Sequence, residues 1–182
     1  MNYLKTMECF KFKEPGFEPS DEIQKTTLRF YFKVEQDGRQ KARLVAVGHL
    51  FALLDGISSR STVVKGISVW LLDLIAHRDN LKNLCGDIGN TFITALCLGK
   101  VYADSGPGFC EQQNSIVIID KALYDLKSCS RAFRNYFADH LRFAELQPTW
   151  YDRDVWIRKR ESGDGYDYIC IHVDNFKITA KY

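Results

Sequence analysis

Tyr166-Asp167-Tyr168-Ile169-Cys170-Ile171-His172-Val173-Asp174-Asn175-Phe176-Lys177-Ile178-Thr179-Ala180-Lys181 is the stretch on which the fold turns. It reads as two β-rich runs about a polar pair, Asp174-Asn175, residue types that favour a tight turn. A hairpin there holds a carboxylate rigidly at its tip, where a cation can reach it. Far upstream, Asp87 stands directly before an apolar and aromatic segment with Ile88, Phe92 and Ile93. Two acids on separate elements, with basic and aromatic residues around them, match the needs of two-metal phosphoryl chemistry. The residues alone leave a second reading open, because Asp caps turns and suits hairpins whatever the function.

Working outward, residues 28–35 alternate apolar and polar and predict a strand. Gln36-Asp37-Gly38-Arg39 is its turn, and residues 41–47 return to Gly48. Residues 51–62 read as loop. Residues 63–77 have helical spacing, with Val64, Ile67, Leu71, Leu74 and Ile75 on one face. A short strand, 84–86, leads into Asp87, and 90–97 reads as a short helix or turn. Short strands at 100–103 and 116–119 flank a loop at Ser105-Gly106-Pro107-Gly108. Residues 130–144 predict a helix capped by Ser130, with Phe133, Tyr136, Phe137, Leu141 and Ala144 inward and Pro148 at its exit. Strands at 155–159 and 168–173 enclose Ser162-Gly163-Asp164-Gly165. The order predicts an α+β fold, an antiparallel sheet packed against helices. Residues 1–26 read as a loose N-terminal arm and 27–182 as one domain.

The chain has 182 residues, enough for one ordinary core, and its 46% apolar content rules out a disordered composition. Net charge is +2, from 25 basic and 23 acidic residues, so bulk charge does not call for a polyanion. The six cysteines form no C-x-x-C pair, and the four histidines have no zinc-type spacing with them. With no signal-peptide pattern and no long apolar run, the expectation is free thiols in a reducing, cytoplasmic or nuclear setting and no membrane contact.

Lys41 and Arg43 fall on one face of their strand and suit phosphate, or else a solvated basic face. Lys121, Lys127, Arg131 and Arg134 gather about a helix start, where an anion is favoured, and carry the same alternative. Phe92 reads as a core aromatic or a wall against a nucleotide sugar. Cys170 and His172 read as packing residues.

Several segments together resemble the copia-type retrotransposon reverse transcriptases. Lys41-Ala42-Arg43-Leu44-Val45-Ala46 is similar to the family's fingers motif, and Asp87-Ile88-Gly89-Asn90-Thr91-Phe92 to its first catalytic-aspartate segment. Val101-Tyr102 with Gly106-Pro107-Gly108-Phe109 resembles V-Y-x-x-x-P-x-G-F. Lys121-Ala122-Leu123-Tyr124-Asp125-Leu126-Lys127 with Arg131-Ala132-Phe133 resembles K-A-L-Y-G-L-K and R-A-W, and His172-Val173-Asp174-Asn175 resembles the Y-V-D-D hairpin. The resemblance implies fingers and palm without a thumb, and RNA-directed DNA polymerase chemistry. It implies magnesium or manganese held by Asp87, Asp174 and the Ile88 carbonyl, with Asn175 as the third catalytic position. Phe92 would select the sugar. Lys41 and Arg43 would contact the incoming triphosphate, and Tyr124, Lys127 and Arg131 would line the nucleotide pocket or template path. The implied partners are an RNA or DNA template with primer and deoxynucleotide triphosphates. The departures are Asn175 for the second hairpin acid, His172 for tyrosine, Asp125 for glycine, and Ser128-Cys129-Ser130 for Q-A-P. They point to an impaired enzyme. The alternatives are a non-catalytic nucleic-acid-binding module and an inert relic.

Overall fold

The alternation in residues 28–46 becomes an antiparallel ribbon of β3 (Leu28–Val34) and β4 (Gln40–Ala46), with Leu28 opposite Ala46 and Val34 opposite Gln40. Gly38, at φ 82, takes the left-handed turn position that its sequence predicts. The computed structural model describes residue 4, residues 7–47 and residues 61–181. The expected strand end at Gly48 and the expected loop over 51–60 lie outside the described residues. By internal packing the chain divides into two units, Met1–Arg60 with Phe92–Phe133, and Ser61–Thr91 with Arg134–Tyr182.

The first unit holds the β3–β4 ribbon and a four-stranded sheet. Its strands are β1 (Phe10–Phe12), β2 (Gln24–Thr26), β6 (Leu96–Asp104) and β7 (Ile116–Lys121), ordered β1-β7-β6-β2. Val101 and Ala103 on β6, with Val117 and Ile119 on β7, point inward at every second residue and are almost fully buried. Phe109 lies edge-on to Phe10 and Phe12, at 5.4 and 5.9 Å, and is itself buried. β1 and β2 fall within the stretch read as a loose arm; three-residue strands carry too little alternation to be seen. β2 runs parallel to β6, so this sheet is not wholly antiparallel as expected. The expected loop at 105–108 gives way to a 3₁₀ turn, Pro107–Gln112, opened by a proline whose missing N–H costs nothing there.

The second unit is a five-stranded antiparallel sheet in the order β5 (Lys82–Asp87), β11 (Asn175–Ala180), β10 (Tyr166–His172), β9 (Val155–Lys159), β8 (Gln147–Pro148). Helix α1 (Gly66–Arg78) covers one face through Leu72 against Val155 and Cys170. Helix α2 (Cys129–Phe143) covers the other through Ala138 and Leu141 against Trp156 and Ile171. Neighbouring residues on β9 and β10 therefore bury on opposite faces.

Two inward faces differ from expectation. On α1 the buried stripe is Ser68, Leu72 and Ala76, while Ile67, Leu71 and Leu74 are exposed. The Ser68 hydroxyl donates to the Asp152 carboxylate at 2.6 Å, so a polar residue sits in the core and turns the helix away from its larger apolar stripe. On α2, Tyr136 and Ala144 are exposed and Ala138 takes the core position. Ser130 lies inside the first turn and is not the cap.

Both helices end in a left-handed residue. Asn80 has φ 51, with the Leu81 N–H donating to the Ala76 carbonyl at 2.8 Å. Glu145 has φ 62, with the Leu146 N–H donating to the Leu141 carbonyl at 2.9 Å. These are Schellman closures, in which glycine is favoured and asparagine is tolerated. Glu145 carries a Cβ penalty, so Glu145→Gly is expected to stabilise the chain by about 1 kcal/mol in urea unfolding, with an unchanged denaturant slope.

Candidate active site

Strand pairing builds the acid cluster within the second unit. β11 runs between β10 and β5, and its first residue, Asn175, pairs with His172 on one side and Asp87 on the other. Residues directly opposite in a sheet present their side chains to the same face with Cα atoms about 5 Å apart. Asp174 is one residue further, about 3.8 Å along the chain. The two aspartates therefore lie within about 9 Å at their Cα atoms. The Ile88 N–H donates to the Asp174 carbonyl at 2.8 Å and fastens the strand end carrying Asp87 to the hairpin tip.

The hairpin differs from its sequence reading in one respect. Its two turn residues are Val173 and Asp174; Asn175 already belongs to β11. Val173 has φ 59, and positive φ at only the first central residue is the type II′ arrangement. A β-branched residue there is strained, by about 1–3 kcal/mol. Pairing forces this register, because a one-residue slip would turn every β11 side chain to the wrong face. His172 is exposed, not a packing residue, whereas Cys170 is buried as expected.

The donors are hard oxygens, but few. Asp174 Oδ1 accepts a hydrogen bond from Asn175 Nδ2 at 3.0 Å. The Ile88 carbonyl accepts one from the Thr91 hydroxyl. Among the described residues no three His, Cys, Asp or Glu side chains gather to hold a metal ion. Two carboxylates and a carbonyl are hard oxygens of the type magnesium takes, and number one acid fewer than a two-metal site uses.

Gly86 and Phe176 give this site support that its motif does not announce. A Cβ on Gly86 would lie 2.5 Å from Phe176 Cζ, since the ring covers the glycine across the β5–β11 pair. A glycine inside a strand pattern signals such a close approach. Gly86→Ala should cost about 1–3 kcal/mol, read as a lowered thermal midpoint, because the ring must leave or β5 must shift.

The first unit holds the other candidates. The Arg43 guanidinium sits over the Tyr124 ring at 5.3 Å, and Tyr124 meets Phe92 edge-on at 4.8 Å. Phe92 in turn lies 6.4 Å from Phe133. The Ala46 N–H donates to the Tyr124 carbonyl at 3.0 Å, which ties the ribbon to this row. Lys41 shares the face of Arg43, and its Nζ lies 3.9 Å from Glu35. Glu35 also accepts a hydrogen bond from Lys33, whose charge and bond hold its carboxyl below the usual range. Lys127 is exposed and Arg131 half-buried; neither is ion-paired among the described residues. Asp125 has φ 67, a left-handed backbone that suits the glycine of the resembled motif.

All six cysteines are free, and burial pushes the Cys9 thiol up to about 11. No described helix is long and apolar enough to cross a membrane.

Residues 18–182 match the family described as reverse transcriptase (RNA-dependent DNA polymerase). The chain is 29% identical over 157 residues to the "Retrovirus-related Pol polyprotein from transposon RE1" of Arabidopsis thaliana, covering 83% of this chain and 11% of that protein. It is 28% identical over 172 residues to the corresponding RE2 polyprotein of the same plant, covering 91% of this chain and 12% of that protein. It thus spans only about an eighth of these relatives. The ordered motifs and the matched span agree: the chain belongs to the reverse transcriptase family, with distant homology to copia-type retrotransposon Pol polyproteins.

Proposed function

We propose that this chain is the fingers and palm portion of a copia-type RNA-directed DNA polymerase, with catalysis impaired at the hairpin. The observation that carries the reading is the register that sets Asn175 opposite Asp87, one residue from Asp174. Asp87, Asp174 and the Ile88 carbonyl would hold magnesium or manganese. Such an ion would lower the pKa of a primer 3′-hydroxyl and offset charge on the leaving pyrophosphate. Asn175 keeps one oxygen but lacks the charge, and its amide already occupies an Asp174 oxygen. Arg43 and Lys41 supply cations for a triphosphate, Arg43 steadied by the Tyr124 ring. Phe92, braced by Tyr124 and Phe133, supplies a wall against the sugar. Lys127 and Arg131 offer further phosphate contacts. An intracellular setting accords with the free thiols.

Primer extension on an RNA template, with magnesium or manganese, tests this. The expected result is slow extension that Asp87→Ala abolishes; extension unaffected by that change would remove the acid pair from the mechanism. A second reading, binding without turnover, draws on the β3–β4 ribbon. Its pairing puts Arg29, Lys33, Lys41 and Arg43 on one face. A gel shift that weakens with salt but no extension would favour it, and no shift would leave an inert relic.

A further inference from the structure

The segment Thr149-Trp150-Tyr151-Asp152-Arg153 carries none of the chemistry above, yet it displays two exposed aromatic rings side by side in the chain. Trp150 is 89% and Tyr151 67% exposed. Each has a cation over its ring, Arg153 at 5.4 Å from the Trp150 centroid and Lys65 at 4.2 Å from that of Tyr151. Thr149 and Asp152 hold the segment rigid: the Thr149 hydroxyl donates to the Asp152 carbonyl at 2.6 Å, and the Asp152 carboxylate accepts the Lys65 N–H at 2.9 Å. Beside it lie two clefts, of about 370 and 670 Å³, that share Arg142, Pro148 and Arg153. Arg142 sits over the Trp156 ring at 5.6 Å. Two cation–aromatic pairs thus belong to this segment, Lys65 reaching it from the start of α1 and Arg153 lining the clefts, where Arg142 over the buried Trp156 forms a third.

Exposed charge around this segment is mixed, with basic residues in excess. Lys65, Arg142 and Arg153 are exposed and Arg134 is partly so; Asp139, paired with Arg142 at 2.7 Å, and Glu145 are the exposed acids. Asp152 and Asp154 are buried behind it. Rigid, open aromatic faces interleaved with cations are what unpaired bases and their phosphates require. A duplex offers phosphates but no free base faces.

We infer that this surface is a second nucleic-acid site, a stacking platform for a single strand, with bases on Trp150 and Tyr151 and phosphates toward Lys65, Arg142 and Arg153. It rests on the nucleic-acid reading of the family and extends it to residues other than those of the acid cluster and the ribbon.

The test is titration of the full chain with a fluorescein-labelled oligothymidylate at several salt concentrations. Trp150→Ala or Tyr151→Ala should weaken binding about ten-fold each and the pair about a hundred-fold, with the salt slope unchanged. Trp150→Phe should keep most of the affinity. Arg142→Ala with Arg153→Ala should flatten the salt slope by about 1.4. A duplex of the same length should compete poorly. If the aromatic variants bind like the parent while Lys41→Ala with Arg43→Ala loses binding, the platform is overturned and the family reading stands. If the parent does not bind the single strand, the platform is overturned, and primer extension decides the family reading separately. If sedimentation shows self-association that Trp150→Ala abolishes while oligonucleotide binding persists, the surface belongs to a second copy of the chain and the proposal is again overturned.

Discussion

Asn175→Asp is expected to raise primer extension by roughly 30- to 1,000-fold, the factor that about 2–4 kcal/mol of transition-state stabilisation represents. The register makes this position decisive. Asn175 is opposite Asp87 on β5 and next to Asp174, so an acid there would complete three carboxylates at one end of the sheet. The present amide donates a hydrogen bond to Asp174 and so competes with a cation for that oxygen. The substitution removes this donor and adds a charged oxygen in one step. The extra negative charge should also make the hairpin depend on divalent ions: without them the variant should melt below the parent, and manganese should restore it. A rate unchanged by Asn175→Asp, with the ion-dependent melting present, would move the catalytic defect elsewhere, with Asp125 the next position to revert.

Asp152→Ala should be the most damaging single change to the second unit, at about 3–4 kcal/mol, or a thermal midpoint lower by about 10 °C. Asp152 is almost fully buried. One carboxylate oxygen accepts the Lys65 N–H at 2.9 Å and the Ser68 hydroxyl at 2.6 Å, and the other accepts the Asp154 N–H at 3.1 Å. It thus caps α1 from a distant loop and satisfies the one polar side chain on that helix's inner face. Alanine would leave all three donors without this acceptor, two of them in the core.

The same group sets a pH dependence. Burial alone would raise the Asp152 carboxyl, but hydrogen bonds from Ser68 and from the Lys65 and Asp154 backbone outweigh it and hold the carboxyl below its usual value. A lowered folded value means that its stabilisation is complete above the unfolded value, near pH 4, and fades as pH falls through the folded one. The stability gap between the parent and Asp152→Asn should therefore shrink below about pH 4 and stay constant above it; a gap that widened on acidification would contradict this assignment.

Local pattern made the β3–β4 hairpin legible, because alternation and Asp37-Gly38 both act within a few residues. It also gave β5 leading into Asp87, the strands around residues 162–165, and α2 to within a residue at its start. The ordered motifs, each a short contiguous string, gave the family. What local pattern could not decide was anything that depended on a distant partner. The turn at Val173-Asp174 follows from pairing Asn175 with Asp87, a contact 88 positions away in the chain; the preference of asparagine for turns pointed one residue too far on. The inner face of α1 follows from Asp152, which makes Ser68 a core residue. The strands β1 and β2 exist because β7 and β6 offer them edges. By itself, the sequence determined which residue types could perform phosphoryl transfer and in what order they occur. Only the tertiary structure decided which of them meet, because strand register, set by burial on two faces at once, is a property of the whole sheet.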